Sequence, residues 1–244
     1  MCPPNENLTP HFMKQHPILF SGPMVRAILE GRKTQTRRIV KPQPSYIIDT
    51  QCRAYEPALE DKHGEMYPGP EVFGFYNEEH GWKFPYGKPG DRLWVREPYY
   101  QKGHWDPVPG IRTKQGRQKW RFVSQGDIRF DEPKDEPVRL GRHHHDPATV
   151  AWHKRLARLM PRTASRITLE IVSVRVERLQ AITEAAAIAE GCADSQMVDG
   201  VPMWTSAVEA YAELWDSING AGAWDANPWV WVVEFKRVES EVKA

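Results

Sequence analysis

The chain has 244 residues, enough for one large domain or two small ones. Lys plus Arg number 33 and Asp plus Glu 32, a formal charge of +1, so no global field argues for nucleic acid and any such case rests on local clustering. The opening "MCPPNENLTP" has no basic region before an apolar run, and no run of about 18 apolar residues follows anywhere, so neither export nor membrane spanning is expected and the cytoplasm is the expected location.

Residues 1–16 are polar and proline-bearing and read as a flexible arm. A single domain over 17–238 with insertions at about 42–87 and 99–162 is expected, then a tail at 239–244. "SGPMVRAILEG" reads as a helix: Ser21 is the N-cap, Pro23 sits where its missing N–H costs nothing, Val25, Ile28 and Leu29 share a face, and Gly31 supplies the left-handed stop. From 42 to 90 the Pro, Gly and Tyr content predicts loops with one or two short strands. "GDRLWVREPYY" opens on a Gly-Asp turn and alternates Leu93 and Val95 with Trp94 and Arg96, a strand expected to be central in its sheet.

Within the second insertion, "IRTKQGRQKWRF" predicts a hairpin around Gly116. Arg117, Lys119 and Arg121 fall on one face, Gln118, Trp120 and Phe122 on the other. "PATVAWHKRLARLM" reads as a helix that adds Lys154, Arg155 and Arg158 to this basic region. In "RITLEIVSVRVERLQ" the apolar phase switches from Ile167, Leu169 and Ile171 to Val172, Val174 and Val176, which predicts a bulge or bend of the kind a closing barrel needs. "ITEAAAIAEG" is a short helix with Thr183 as N-cap and Gly191 as stop, a second helix covers about 204–217, and "PWVWVVEFKRV" is a strand covered on both faces. This order fits an α+β fold with a small bent β-barrel and flanking helices.

Two places are candidates for chemistry. "GRKTQTRR" concentrates cations and hydroxyls where a helix ends; Thr34 and Thr36 share one side of an emerging strand, and Lys33 joins Thr36 in one pocket only if it lies in the turn. Glu190 sits at a helix C-terminus, where a carboxylate is disfavoured by roughly 0.3–1 kcal/mol, so a nearby cation or an altered pKa is expected. The histidines of "RHHHD" alternate in direction and lie near no HExxH or cysteine pair, and Cys2, Cys52 and Cys192 form no CxxC. Neither a metal site nor a disulfide framework is expected.

"ILEGRKTQTRR", "GDRLWV", "LQAITEAAAIAEG" and "WVVEFK" together resemble the ASCH family of PUA-like domains, and the long phage and prophage members most of all. The resemblance covers residues 17–41, 88–98 and 163–237. It implies a PUA-like barrel and the chemistry of the small bacterial amidohydrolase that removes the acetyl group from N4-acetylcytidine. Catalytic roles then fall on Lys33, Thr36 and Glu190, with Thr36 as nucleophile, Lys33 as its activator and Glu190 serving the leaving nitrogen. Candidate substrate contacts are Arg32, Thr34, Arg38, Trp94 and Glu97, with Tyr99 a second aromatic able to stack on a base.

A basic Lys33 requires its pKa to fall from about 10.4 toward about 7–8, which burial beside Arg32, Arg37 or Arg38 favours and a close Glu190 opposes. A second version keeps Lys33 charged as oxyanion stabiliser while Glu190 activates water. Either way no metal or other cofactor is expected, and the partner is a modified nucleoside or RNA rather than a membrane. The competing reading is a non-catalytic RNA or modified-base binding module, in which Arg112, Lys114, Arg117, Lys119 and Arg121 contact phosphates. A weaker third reading is a phage accessory protein with a protein partner.

Overall fold

The computed structural model describes residues 13–47, 49–77, 80–140, 146–192, 197–198, 201–202 and 206–238. The His143–His145 run, Cys2, the tail and most of the expected arm lie outside the described residues. In chain order the elements are β1 (Gln15–Leu19), α1 (Gly22–Leu29), β2 (Gln35–Ile39), β3 (Arg53–Tyr55), β4 (Ala58–Glu60), β5 (Met66–Pro68), β6 (Val72–Tyr76), β7 (Gly81–Lys83) and β8 (Arg92–Arg96). There follow β9 (Tyr99–Arg112), β10 (Gln118–Arg129), β11 (Val138–Leu140), β12 (Ala151–Arg155), β13 (Thr168–Arg178), α2 (Glu184–Ala189), β14 (Met197–Val198), β15 (Val201–Pro202), α3 (Ala207–Asn219) and β16 (Trp229–Val238). The fold is mixed α+β and dominated by strands. No helix among the described residues is long and apolar enough to cross a membrane.

The chain divides into two compact units. The first comprises the described residues of Met1–Pro17, Arg26–Trp94 and Ile167–Ala244; the second comprises Ile18–Val25 and Val95–Arg166. The principal sheet runs β1-β8-β13-β16-β2, with β8 and β16 interior as their apolar sequences require. Alternation along β16 serves both of its faces. Val230 and Val232 join Leu179, Ile182, Ala187, Tyr211 and Trp215 in one core cluster under α2 and α3. Trp231 leaves the other face, its ring 5.1 Å from Phe75 and 5.3 Å from Phe84. Each such fully buried side chain contributes about 1.5–3 kcal/mol of transfer free energy.

The phase switch in β13 is a bulge. The register with β16 shifts between Ile171 and Ser173, Val172 is 51% exposed, and Ile167, Leu169, Ile171, Val174 and Val176 are all buried. The expected closed barrel is not formed. β1 and β2 are the edges of an open sheet, and β8 pairs with β13 only from Thr168 to Glu170, before the bulge. Beyond it the vacated edge of β13 is met by Gln51, bridged to Arg175, and by Thr50, whose carbonyl accepts from Val176 N. One bulge bends a strand, but closure also needs a ladder between the two edges.

The 42–90 region holds five short strands, β3 to β7, more than its weak alternation suggests. In the second unit β10-β9-β12-β11 form a sheet. Residues 151–155, expected to be helical, are instead strand β12, whose Trp152 and His153 are buried and pair with Lys102 and Gln101 of β9. Tertiary pairing overrides the helix propensity of that segment.

Candidate active site

Gly31, with φ +76°, ends α1, and the Lys33 N–H turns back to the Ala27 carbonyl at 3.0 Å. Lys33 therefore lies in the turn before β2. The next residue is fixed on two sides: Thr34 N–H donates to Ala189 O at the end of α2, and Thr34 O accepts from Phe235 N of β16, each at 2.9 Å. This brings the α1–β2 turn against the last turn of α2.

Helix α2 is short and capped at both ends. The Thr183 hydroxyl accepts from Ala186 N at 3.2 Å, and Gly191 takes φ +92°. A Cβ at Gly191 would stand 3.1 Å from Ala27 Cβ and 3.3 Å from Lys33 Cβ, so the close approach of the two segments depends on its absence.

Glu190 then meets two cations. Lys33 Nζ donates to Glu190 Oε2 and to the Glu190 carbonyl, both at 2.7 Å, and Arg37 Nη1 donates to Oε1 at 3.3 Å. The ammonium thus offsets both a carboxylate at the negative end of a helix and one of that helix's orphan carbonyls. The three side chains are 0%, 3% and 1% exposed for Lys33, Glu190 and Arg37. Arg37 Nη2 also reaches Glu177 Oε2 at 3.2 Å, and Arg175 continues the ion chain from Glu177 to Glu234.

Burial pushes the Lys33 amine below its ordinary value; Glu190 pulls it back up, and the Arg38 guanidinium adds to the lowering. Tyr211 of α3 lies with its ring centroid 6.0 Å from the Arg37 guanidinium carbon. Its phenol is held well above the usual range by burial and by the nearby Glu190 charge. Burial likewise pushes the Cys192 thiol up to about 11. The cluster is a desolvated amine, carboxylate and guanidinium in contact, an arrangement suited to proton transfer and to stabilising a developing oxyanion.

Of the remaining candidates, Thr36 is buried and sits opposite Val233 in the β2–β16 ladder, while Arg37 sits opposite Val232. Alternation directs Thr36 to the face of β2 opposite Arg37, the face of Trp231, whereas the Arg38 guanidinium is near enough to lower the Lys33 amine. Arg32 is exposed, pairs with Glu30 and donates from Nη1 to Gly191 O at 3.2 Å. The Thr34 side chain is exposed. Trp94 and Tyr99 are buried, at 8% and 1% exposure. Glu97, in the second unit, is buried and held by both arms of Arg166 at 3.0 Å. Arg112, Lys114, Arg117, Lys119 and Arg121 are exposed on the β9–β10 hairpin, whose turn closes as expected through Gly116 N to Thr113 O.

The sequence reading missed Glu177, Tyr211 and Cys192 as neighbours of the pair. Tyr211 and Trp215, four apart on α3, carry only the signature of a core face. No protein-family model, curated protein or solved structure matches the chain, so the case for any activity rests on the residues themselves.

Proposed function

We propose that the chain is an ASCH-type, PUA-like protein and that Lys33 and Glu190 form the centre of an amidohydrolase acting on an N-acylated pyrimidine nucleoside or nucleotide, such as N4-acetylcytidine. The observation that carries this reading is the buried Lys33–Glu190 contact, reinforced by Arg37. Burying such charges costs several kcal/mol and is weak evidence for stability alone. A desolvated lysine beside a carboxylate is what acid–base work requires.

The strand alternation favours water over the Thr36 hydroxyl as the attacking group. Glu190 takes a proton from water as the water oxygen bonds to the acyl carbon, and the Lys33 ammonium beside it faces the developing negative charge. Arg37 steadies the oxyanion. As the C–N4 bond breaks, the proton passes through Glu190 to the departing N4, leaving the free amine and a carboxylic acid. The cations needed come from the chain's own side chains.

Incubating the protein with N4-acetylcytidine and following loss of the acetyl group tests this. Lys33→Ala and Glu190→Gln are expected to lower turnover by about 10²–10⁴-fold, the usual worth of acid–base groups, whereas Thr36→Ala retains measurable turnover and no acyl group is found on Thr36 by mass spectrometry. Folding of each variant is checked by circular dichroism. A folded wild-type protein that leaves the substrate intact ends the reading, and an acetylated Thr36 restores the hydroxyl as nucleophile.

A second reading, a binding module for RNA, is favoured by the five exposed cations of the β9–β10 hairpin.

A further inference from the structure

The first unit contains a cleft of about 370 Å³ lined by Lys14, His16, Phe73, Lys83, Lys88 and Asp91, with Glu71 also on its wall. Several separate segments build it. Lys14 precedes β1 and His16 lies at its start, Phe73 comes from β6, Lys83 from the end of β7, and Lys88 and Asp91 from the turn before β8. Asp91 is 1% exposed and its carboxylate is engaged with backbone: Oδ1 accepts from Lys14 N at 2.9 Å and Oδ2 from Lys88 N at 3.1 Å. That carboxylate ties two lysine-bearing segments together.

Among the described residues, Lys14, Lys83 and Lys88 enter no ion pair. His16 also lines the cleft, although its Nε2 is shielded from solvent. Gly87, at φ +99°, packs tightly on this wall: a Cβ there would overlap Asp91 Oδ2 and stand 2.9 Å from His16 Nε2. Three ammonium groups without ion pairs line a concave space whose other charged groups are the Glu71 and Asp91 carboxylates, and that excess of donors calls for an anion with several acceptor oxygens.

We propose that this cleft is a binding site for a phosphate group, with Lys14, Lys83 and Lys88 supplying the charge. The site is independent of the Lys33–Glu190 chemistry. The group arrives either as free phosphate or as a phosphomonoester, and the cleft has room for more than the bare ion.

Isothermal titration calorimetry of the full chain with inorganic phosphate, against sodium chloride of equal ionic strength, is the test. Saturable binding is expected for phosphate alone, weakened at least tenfold in Lys83→Ala/Lys88→Ala. The double variant should melt at the wild-type temperature in chloride, because neither lysine holds an ion pair. Cytidine 5′-monophosphate binding more tightly than phosphate, with cytidine inert, identifies a nucleotide source, and equal affinity identifies free phosphate. Heat that follows ionic strength only, or affinity unchanged in the double variant, overturns the proposal.

Discussion

A buried ammonium and a buried phenol, both acted on by the Glu190 charge, give the protein an alkaline signature that can be read one residue at a time. Lys33 is held below its ordinary 10.5, first by burial, with Glu190 opposing. The unfolded chain therefore keeps this proton in a window where the folded chain has released it. Stability contributed by Lys33 is complete above 10.5 and is lost as pH falls through the lowered folded value. Tyr211 has the opposite sign: its folded value lies well above 10.0, so its contribution is present below 10.0 and is lost as pH rises through the raised value. Urea midpoints taken across the alkaline range should climb toward pH 10 in the wild type relative to Lys33→Met. Above that, Tyr211→Phe should hold stability that the wild type loses. Parallel profiles for wild type and Lys33→Met would show that the amine is not held below its ordinary value.

At the scale of elements, α2 is six residues long, too short to persist without its ends and its packing. Thr183→Ala removes the N-cap acceptor and should cost about 1 kcal/mol. Gly191→Ala forces an alanine into the left-handed region, at about 1–2 kcal/mol, and sets its Cβ 3.1 Å from Ala27 and 3.3 Å from Lys33. It should therefore be the costlier substitution in urea denaturation and should also disturb the Lys33–Glu190 contact; a neutral Gly191→Ala would mean that the two segments are free to separate. These caps were legible in the sequence because capping is chemistry between residues a few positions apart. The same holds for the bulge in β13, whose phase switch is visible in eleven residues, and for Glu190, conspicuous by its adverse place at a helix end. The open sheet was not legible, since it depends on Thr50 and Gln51 meeting β13 more than a hundred residues later. Nor was β12, whose local helix propensity yields to its ladder with β9. Arg37 was legible only as a nearby charge. Its contact with Glu190 joins positions 153 apart, and only alternation along a strand whose register is known selects it over Thr36.

For the whole molecule, a formal charge of +1 leaves little long-range steering, so any affinity for a polyanion must come from one place. The exposed hairpin of β9 and β10 is the place with the density to supply it, through Arg112, Lys114, Arg117, Lys119 and Arg121. If each neutralises one phosphate of a single strand, the logarithm of affinity falls with the logarithm of salt at a slope of about −3.5, a loss of about a hundredfold between about 50 and about 200 mM. Replacing Arg117, Lys119 and Arg121 by glutamine should flatten that slope to about −1.4 and weaken binding most at low salt. Fluorescence anisotropy of a labelled single-stranded RNA across a salt series measures both quantities. A slope that the triple variant leaves unchanged would place the polyanion elsewhere on the protein, and no binding even at low salt would remove the RNA-binding reading and leave the hairpin as a solvated arm.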